Sequence, residues 1–183
     1  FPELQGLLGY YFSNYSGLPD AVGLACREHY APLGPSDNVP TSPLSVVISL
    51  ADKIDLLSSL WSIGEKPTGS KDPFGLRRAA IGILRIIIEN KIDIKISELF
   101  QFSDLKLDRE SIRHFFVDRM RVYLKDNGIK SDTFDACEKS LEEVGIFSFV
   151  NRVTIFNLFL DSFEGQRLLN LSKRVLSILA SEE

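Results

Sequence analysis

The sequence predicts an all-α protein, and two observations support this fold class. Apolar residues recur at intervals of three and four over most of the chain, as they do when one face of a helix is buried. Gly, Pro and Asp residues, which commonly begin or end helices, fall between these periodic segments. The chain has 183 residues and is 44% hydrophobic, so it can bury a sizeable core as one domain or as two small ones.

Four helices are predicted in the first half of the chain. Gly and Pro residues separate two short helices near the start, and a loop rich in both residue types follows them. The third helix is long and begins at Ser42-Pro43. Asp72, as the N-cap, and Pro73, as the first helical residue, begin the fourth. In order, the helices cover about residues 3–14, 20–30, 43–61 and 73–88, and the loop covers 31–41.

The second half of the chain is predicted to be helical as well. A short extended crossing and one helical turn, at 92–100, lead into it. Asp108 caps an amphipathic helix that continues to about Asn127, where Gly128 takes the position that commonly follows a helix. A domain boundary is predicted between Gln101 and Asp108. The later helices are expected at about residues 132–143, 147–161 and 164–179.

Composition excludes several classes of function. The formal charge of −4 and the pI near 5.3 argue against a protein that coats nucleic acid through bulk positive charge, and leave only local basic patches for such a role. Cys26 and Cys137 are isolated, which favours small buried thiols in a reducing cytosol over a disulfide scaffold or a zinc site. No apolar stretch is long enough to span a membrane. The chain begins at Phe1, without Met or a leader, which is typical of an internal piece of a longer protein.

The segment from Ile63 to Arg78, I-G-E-K-P-T-G-S-K-D-P-F-G-L-R-R, is the most specific feature of the sequence. Its first part, G-E-K-P-T-G-S-K, is similar to a phosphate-binding loop of nucleotide hydrolases. However, Ser70 precedes Lys71, the reverse of the order in that motif, and Pro67 removes an N–H that should bind phosphate. Nucleotide hydrolysis is therefore not predicted.

The same segment crowds four cations near one helix start, beside two hydroxyl side chains. The candidate contacts to a phosphodiester backbone are Lys66, Thr68, Ser70, Lys71, Arg77 and Arg78. An alternative of about equal weight is that Asp72 occupies the helix N-terminus and that the two arginines pair with Asp52, Asp55 or Glu65. In that case Asp52, Asp55, Asp72 and Pro73 would be structural anchors of the loop.

A second group of candidate contacts lies on and after the predicted helix at 108–127. Arg121, Lys125 and Lys130 could flank a nucleic acid, although a solvated face with partial ion pairing is the default interpretation. Five phenylalanines follow between Phe147 and Phe163, and their spacing fits a helical core better than a base-stacking surface.

The sequence contains no recognisable catalytic or metal centre. Asp52 and Asp55 are three residues apart and share one side of a helix, which suits metal binding or acid and base chemistry. The supporting ligands are missing, because the only histidines, His29 and His114, are far apart and lack an adjacent Asp. We expect His29 to pack against or cap its helix, and His114 to lie on a helix surface.

Several motifs in order resemble the β subunit of the bacterial heterotetrameric glycyl-tRNA synthetase. The resemblance covers nearly the whole chain, and its most specific block is the one that ends in the two arginines. Gly75 departs from the pattern, since this family usually has Ala there. The motifs are F-P-E-L-Q-G at 1–6, E-H-Y-x-P at 28–32, L-A-D-K-I-D at 50–55, P-T-G-S-K-D-P-F-G-L-R-R at 67–78 and R-V-Y-L-K-D-N-G-I at 121–129.

The resemblance implies a division of labour in a cytoplasmic heterotetramer. The α subunits would activate glycine with ATP and Mg²⁺, while the β subunit would serve recognition of tRNA(Gly) without catalysis by this part of the chain. Residues 1–104 would be the later part of an HD-like helical domain, and residues 105–183 a helical unit leading toward the anticodon-binding domain. Asp52 would match the last metal ligand of HD hydrolases. The alternatives are therefore a fragment of an HD-type metal phosphohydrolase, or a scaffold between domains or subunits.

Overall fold

The computed structural model describes residues 1–101 and 106–180, with side chains through residue 179. Within these ranges the chain is helical and forms no β-strand, which confirms the predicted all-α class. Two 3₁₀ helices, Pro2–Leu4 and Glu138–Glu142, accompany the α-helices. The α-helices are α1 (Leu7–Tyr15), α2 (Asp20–Glu28), α3 (Pro43–Ser62), α4 (Leu76–Glu89), α5 (Ile96–Leu99), α6 (Arg109–Asp126), α7 (Ser131–Cys137), α8 (Ile146–Asp161) and α9 (Phe163–Ala180).

Three predicted elements differ from the structure. The fourth helix begins at Leu76 and not at Pro73, because residues 72–75 form a turn that precedes it. The expected extended crossing at 92–96 ends one residue earlier, because α5 begins at Ile96, and Lys95, which precedes α5, has an extended backbone. The helix expected at 132–143 is α7 followed by a 3₁₀ helix.

Helix α4 is the centre of the core. It packs against α3, α6 and α8, and Ile83, Leu84 and Ile87 have no solvent exposure. Phe116 of α6 and Phe149 of α8 are also fully buried. An apolar residue of this size contributes roughly 1.5–3 kcal/mol when it is fully buried, so the packing around α4 is a main source of stability.

The core is continuous across the predicted domain boundary. One cluster of buried residues extends from Leu57 of α3 to Val153 of α8 and includes side chains from both predicted units. Part of the boundary segment, residues 102–105, lies outside the described residues. The division into 1–104 and 105–183 stays a prediction.

Polar side chains of α3 fix the backbone that follows α2. The Lys53 ammonium donates to the carbonyl oxygens of His29, at 3.0 Å, and Tyr30, at 3.2 Å. The Ser49 hydroxyl donates to the next carbonyl, that of Ala31, at 2.7 Å. The Ala31–Pro32 peptide bond is cis. Three successive carbonyls are thus held by one helix.

Arg85 of α4 and Asn90, which directly follows α4, hold the rest of this loop. The Arg85 guanidinium donates to the carbonyl oxygens of Gly34, at 3.0 Å, and Asp37, at 2.7 Å. The Asn90 amide donates to the carbonyl of Pro40 at 3.0 Å. The loop predicted from its Pro and Gly content is therefore fixed against both long helices.

Helix α9 packs mainly against α8 and leaves its apolar residues exposed. Phe149 of the phenylalanine series lies in the core as expected, but Phe159 is 39% exposed and Phe163 is 72% exposed. No single helix in the described part of the chain is long and apolar enough to cross a membrane. Helices α8 and α9 taken together are long and apolar enough, but they bend by 81° at their junction.

Candidate nucleic-acid interface

The segment from Ile63 to Arg78 contains a tight turn near its centre. Thr68 and Lys71 exchange two backbone hydrogen bonds, of 3.1 and 2.8 Å, which place Gly69 and Ser70 at the tip. Gly69 has a φ of +50°, a conformation that favours glycine. The side chains of Thr68, Ser70 and Lys71 are exposed, so the turn presents two hydroxyls and one ammonium group on a fixed backbone.

Asp72 joins this turn to the start of α4. Its carboxylate accepts hydrogen bonds from the backbone N–H groups of Leu76, at 2.8 Å, and Arg77, at 3.0 Å. Pro73 lies in the turn before the helix, and Gly75 is the N-cap with a φ of +68°. The carboxylate therefore occupies the helix N-terminus, where a bound phosphate would otherwise be favoured.

Gly75 also makes room for Arg78. A Cβ atom at position 75 would lie 2.9 Å from Nη2 of Arg78 and 3.2 Å from its Nε. An Ala at this position, which the resemblance leads one to expect, would be strained at this φ and would displace the Arg78 side chain.

The four cations of this segment do not form one cluster. The Lys66 ammonium donates to the Ser111 hydroxyl at 2.9 Å and to the Asp108 carboxylate at 3.4 Å, and it lies 5.1 Å from the centre of the Trp61 ring. It connects the end of α3 to the start of α6. Arg77 donates from Nη2 to the Gly69 carbonyl at 2.6 Å. Both cations have internal partners.

The side chains of Lys71 and Arg78 are exposed, and neither the ammonium nor the guanidinium group forms a hydrogen bond or ion pair with another described residue. The alternative in which both arginines pair with Asp52, Asp55 or Glu65 is wrong for the described residues. Arg77 does fasten the loop, but through the carbonyl oxygen of Gly69, which sequence cannot reveal as its partner.

Lys53 is the polar residue of this region that the sequence did not single out. It is only 5% exposed, and its ammonium contacts two backbone carbonyls and the Ser49 hydroxyl. Burial lowers the pKa of Lys53, and the neighbouring Asp52 carboxylate opposes that effect. The spacing along α3 indicates that Lys53 is buried. It lies four residues before buried Leu57 and seven after buried Val46, and is therefore on the same helical face.

The second group of candidate cations lies toward the other end of α6. Arg121 binds the carboxylates of Asp135 and Glu138, and its guanidinium is 4.7 Å from the centre of the Phe134 ring. At 1.5 Å per residue, Arg121 is about 15 Å along the axis from Ser111, where Lys66 binds. The two groups of candidate cations therefore lie at different places along α6.

The remaining members of the second group differ in their contacts. Lys130 pairs with Asp161, and this interaction raises the pKa of its ammonium. Lys125 is exposed, and its ammonium has no partner among the described residues. Of the candidate cations in both groups, Lys71, Arg78 and Lys125 are therefore the ones without an internal partner in the part of the chain that the structure describes.

Among the described residues, the carboxylates and histidines do not come together as a metal centre. Asp52 and Asp55 are exposed on α3, and Asp55 accepts only a 3.5 Å hydrogen bond from Ser59. His29 caps the end of α2, with Nδ1 2.9 Å from the carbonyl oxygen of Cys26, and His114 lies on the surface beside Glu110. Residues 1–101 and 106–180 contain no group of three or more potential ligands close enough to hold an ion.

The described residues form a helical protein that has exposed cations on and beside a fixed turn. A family model for the glycyl-tRNA synthetase beta subunit matches residues 1–139, and the chain belongs to this family. Curated relatives named glycine–tRNA ligase beta subunit match over 100% of the chain, with 45% identity in Ruegeria sp. and 44% identity in Paracoccus denitrificans. The chain spans 27% of the length of each of these relatives.

Proposed function

We propose that this chain is a tRNA-recognition and scaffold portion of a glycyl-tRNA synthetase β subunit. It would act with an α subunit that attaches glycine to tRNA(Gly) and that would hold ATP and Mg²⁺. The proposal includes the division into part of an HD-like domain at 1–104 and a helical linker unit at 105–183. Membership in the β subunit family supports the assembly with an α subunit.

The free cations beside the Thr68–Lys71 turn are the observation that carries the tRNA contact. Lys71 and Arg78 keep their charge available because no described carboxylate neutralises it, while Thr68 and Ser70 add hydroxyl groups nearby. Side chains of these types contact phosphate and ribose in nucleic-acid complexes. Because the net charge of the chain is −4, binding to RNA would depend on these local cations and not on the total charge.

The salt dependence of tRNA binding tests this proposal. In the assembled synthetase, Lys71→Ala and Arg78→Ala should each weaken tRNA(Gly) binding, and Lys71→Ala should also reduce the slope of log K against log salt by about one. Lys173→Ala on α9 is the matched control, because it also removes one exposed cation. Unchanged affinity and slope in both variants would overturn the tRNA contact and favour a scaffold.

The scaffold function has an observation of its own. The apolar side chains of α9 are exposed, among them Leu171 at 56% and Leu176 at 66%. Exposed apolar surface of this kind marks interaction sites in soluble proteins. If the α subunit covers it, Leu171→Asp should reduce copurification of α with β, while Lys173→Ala should not. Copurification unaffected by Leu171→Asp would exclude α as the partner of this helix.

A further inference from the structure

A pocket of about 280 Å³ lies between the loop after α2, the middle of α3 and the start of α4. Tyr30 and Leu56 contribute to its walls, and Phe74 and Arg78 line it from the α4 side. Its volume is just below the range of about 300–1,000 Å³ that is usual for small-molecule sites. It therefore suits one small planar group and not a whole nucleotide.

Two opposite charges line this pocket without contacting each other. Asp52 and Arg78 are both lining residues, and neither forms a hydrogen bond or ion pair with another described side chain. Lys53 also borders the pocket, but its ammonium is already bound to three oxygen atoms. One guanidinium donor and one carboxylate acceptor are therefore available to a ligand.

The apolar part of the pocket offers a surface for a ring. Phe74 is 48% exposed although it precedes a buried helix, so one part of its ring is accessible to a ligand. Leu56 and Ala79 complete an apolar lining. Single-stranded RNA bases are typically bound by stacking on aromatic side chains, together with hydrogen bonds to their edges.

We propose that this pocket accepts one unpaired guanine base of RNA. Arg78 would donate to guanine O6 and N7, the commonest specific contact of arginine with a base. Asp52 would accept from the N1–H and the N2 amino group, and Phe74 would stack on the ring. Adenine presents an amino group to Arg78 where guanine has O6, so it fits less well. This inference rests on the proposed tRNA contact and specifies which base of the RNA is bound.

Guanine binding can be measured without tRNA. The assembled synthetase, labelled with 4-fluorophenylalanine at position 74, is titrated with GMP, AMP, CMP and UMP while the fluorine resonance is followed. GMP should shift the resonance at concentrations at least about fivefold lower than AMP, since one bidentate base contact discriminates by about 1–3 kcal/mol. Equal shifts with all four nucleotides, or no shift with GMP, would overturn the inference.

Asp52→Asn and Asp55→Asn form a matched pair on α3. Both remove one exposed carboxylate, but only Asp52 lines the pocket. Asp52→Asn should reduce the preference for GMP over AMP, because only the Arg78 contact then discriminates, whereas Asp55→Asn should leave it unchanged. The same result in both variants would contradict a role for the pocket.

Lys71→Ala distinguishes the two proposals. Lys71 does not line the pocket, so its removal should weaken tRNA binding without changing the preference for GMP. If GMP is not preferred but Lys71→Ala still weakens tRNA binding, the guanine inference fails and the tRNA contact stands. If GMP is not preferred and both Lys71→Ala and Arg78→Ala bind tRNA normally, both proposals fail.

Discussion

The Nη2 atom of Arg77 donates to the carbonyl oxygen of Gly69 at 2.6 Å, across eight residues of chain. The backbone N–H of Arg77 also donates to the Asp72 carboxylate at 3.0 Å. Arg77 thus connects the tip of the turn and the Asp72 carboxylate to α4. The neighbouring Arg78 has no such contact, so two adjacent arginines in the sequence have different roles.

Arg77→Ala should destabilise the protein more than Arg78→Ala. Loss of the hydrogen bond to Gly69 should lower the free energy of unfolding by about 1 kcal/mol, whereas a surface residue without partners changes it by less than about 0.5 kcal/mol. Urea unfolding of the two variants measures this difference. Equal stabilities would show that the contact between Arg77 and Gly69 contributes nothing measurable.

Gly82→Ala should change stability in opposite directions in the natural protein and in a Lys53→Ala variant. Gly in a helix interior costs roughly 0.5–1 kcal/mol relative to Ala, so the substitution alone should stabilise α4. However, a Cβ at position 82 would lie 3.0 Å from Cε and 3.2 Å from Cδ of Lys53, whose ammonium is fixed by three hydrogen bonds. We expect Gly82→Ala to destabilise the natural protein and to stabilise a Lys53→Ala variant.

A double-mutant cycle measures this coupling by denaturant unfolding. The two effects of Gly82→Ala should differ by more than about 0.5 kcal/mol, the limit within which independent sites add. Additive effects would mean that Lys53 moves aside without cost.

Ser148→Ala should reduce stability in a way that depends on pH. The hydroxyl of Ser148 donates to Asp93 at 2.7 Å and its backbone N–H at 3.0 Å. These two bonds hold the pKa of Asp93 below its ordinary value of 3.8. The folded state therefore binds the carboxylate form more strongly than the unfolded chain does. The resulting stability is present above pH 3.8 and is lost as the pH falls through the lower folded-state pKa.

Chemical unfolding between pH 2 and 7 checks this prediction. The natural protein should be more stable than Ser148→Ala at pH 7, and the difference should shrink below pH 3.8. Ser97→Ala is the control, because Ser97 is exposed and its hydroxyl has no described partner. A difference that is independent of pH would show that the hydroxyl acts without Asp93.

The helices were predictable because local spacing determines them. Apolar residues at intervals of three and four identified α3 and α6 closely, and Asp108 caps α6 as expected, with its carboxylate accepting from the N–H of Ser111 at 3.1 Å. The start of α4 was misplaced because Asp72 accepts from N–H groups four and five residues later, across a turn at Gly75. A capping residue commonly binds two or three residues later, so sequence placed the helix too early.

The candidate site was less predictable than the fold. Sequence grouped the cations by their proximity in the chain, but the partners of Lys66 are 42 and 45 residues away. The buried position of Lys53 depends on carbonyls at the end of α2, more than 20 residues earlier. Such partners depend on tertiary packing and not on local spacing. The pocket between Asp52 and Arg78 could not be predicted for the same reason.

The contact between position 75 and Arg78 has a consequence for variation among related proteins. A relative with Ala at position 75 cannot keep the guanidinium of Arg78 where it lies here, because a Cβ would approach Nη2 to 2.9 Å. The residue at position 75, which carries no side chain in this protein, therefore controls where its neighbour's charge is placed. Two β subunits with the same Lys and Arg residues in this segment can thus differ in where this positive charge lies on the surface.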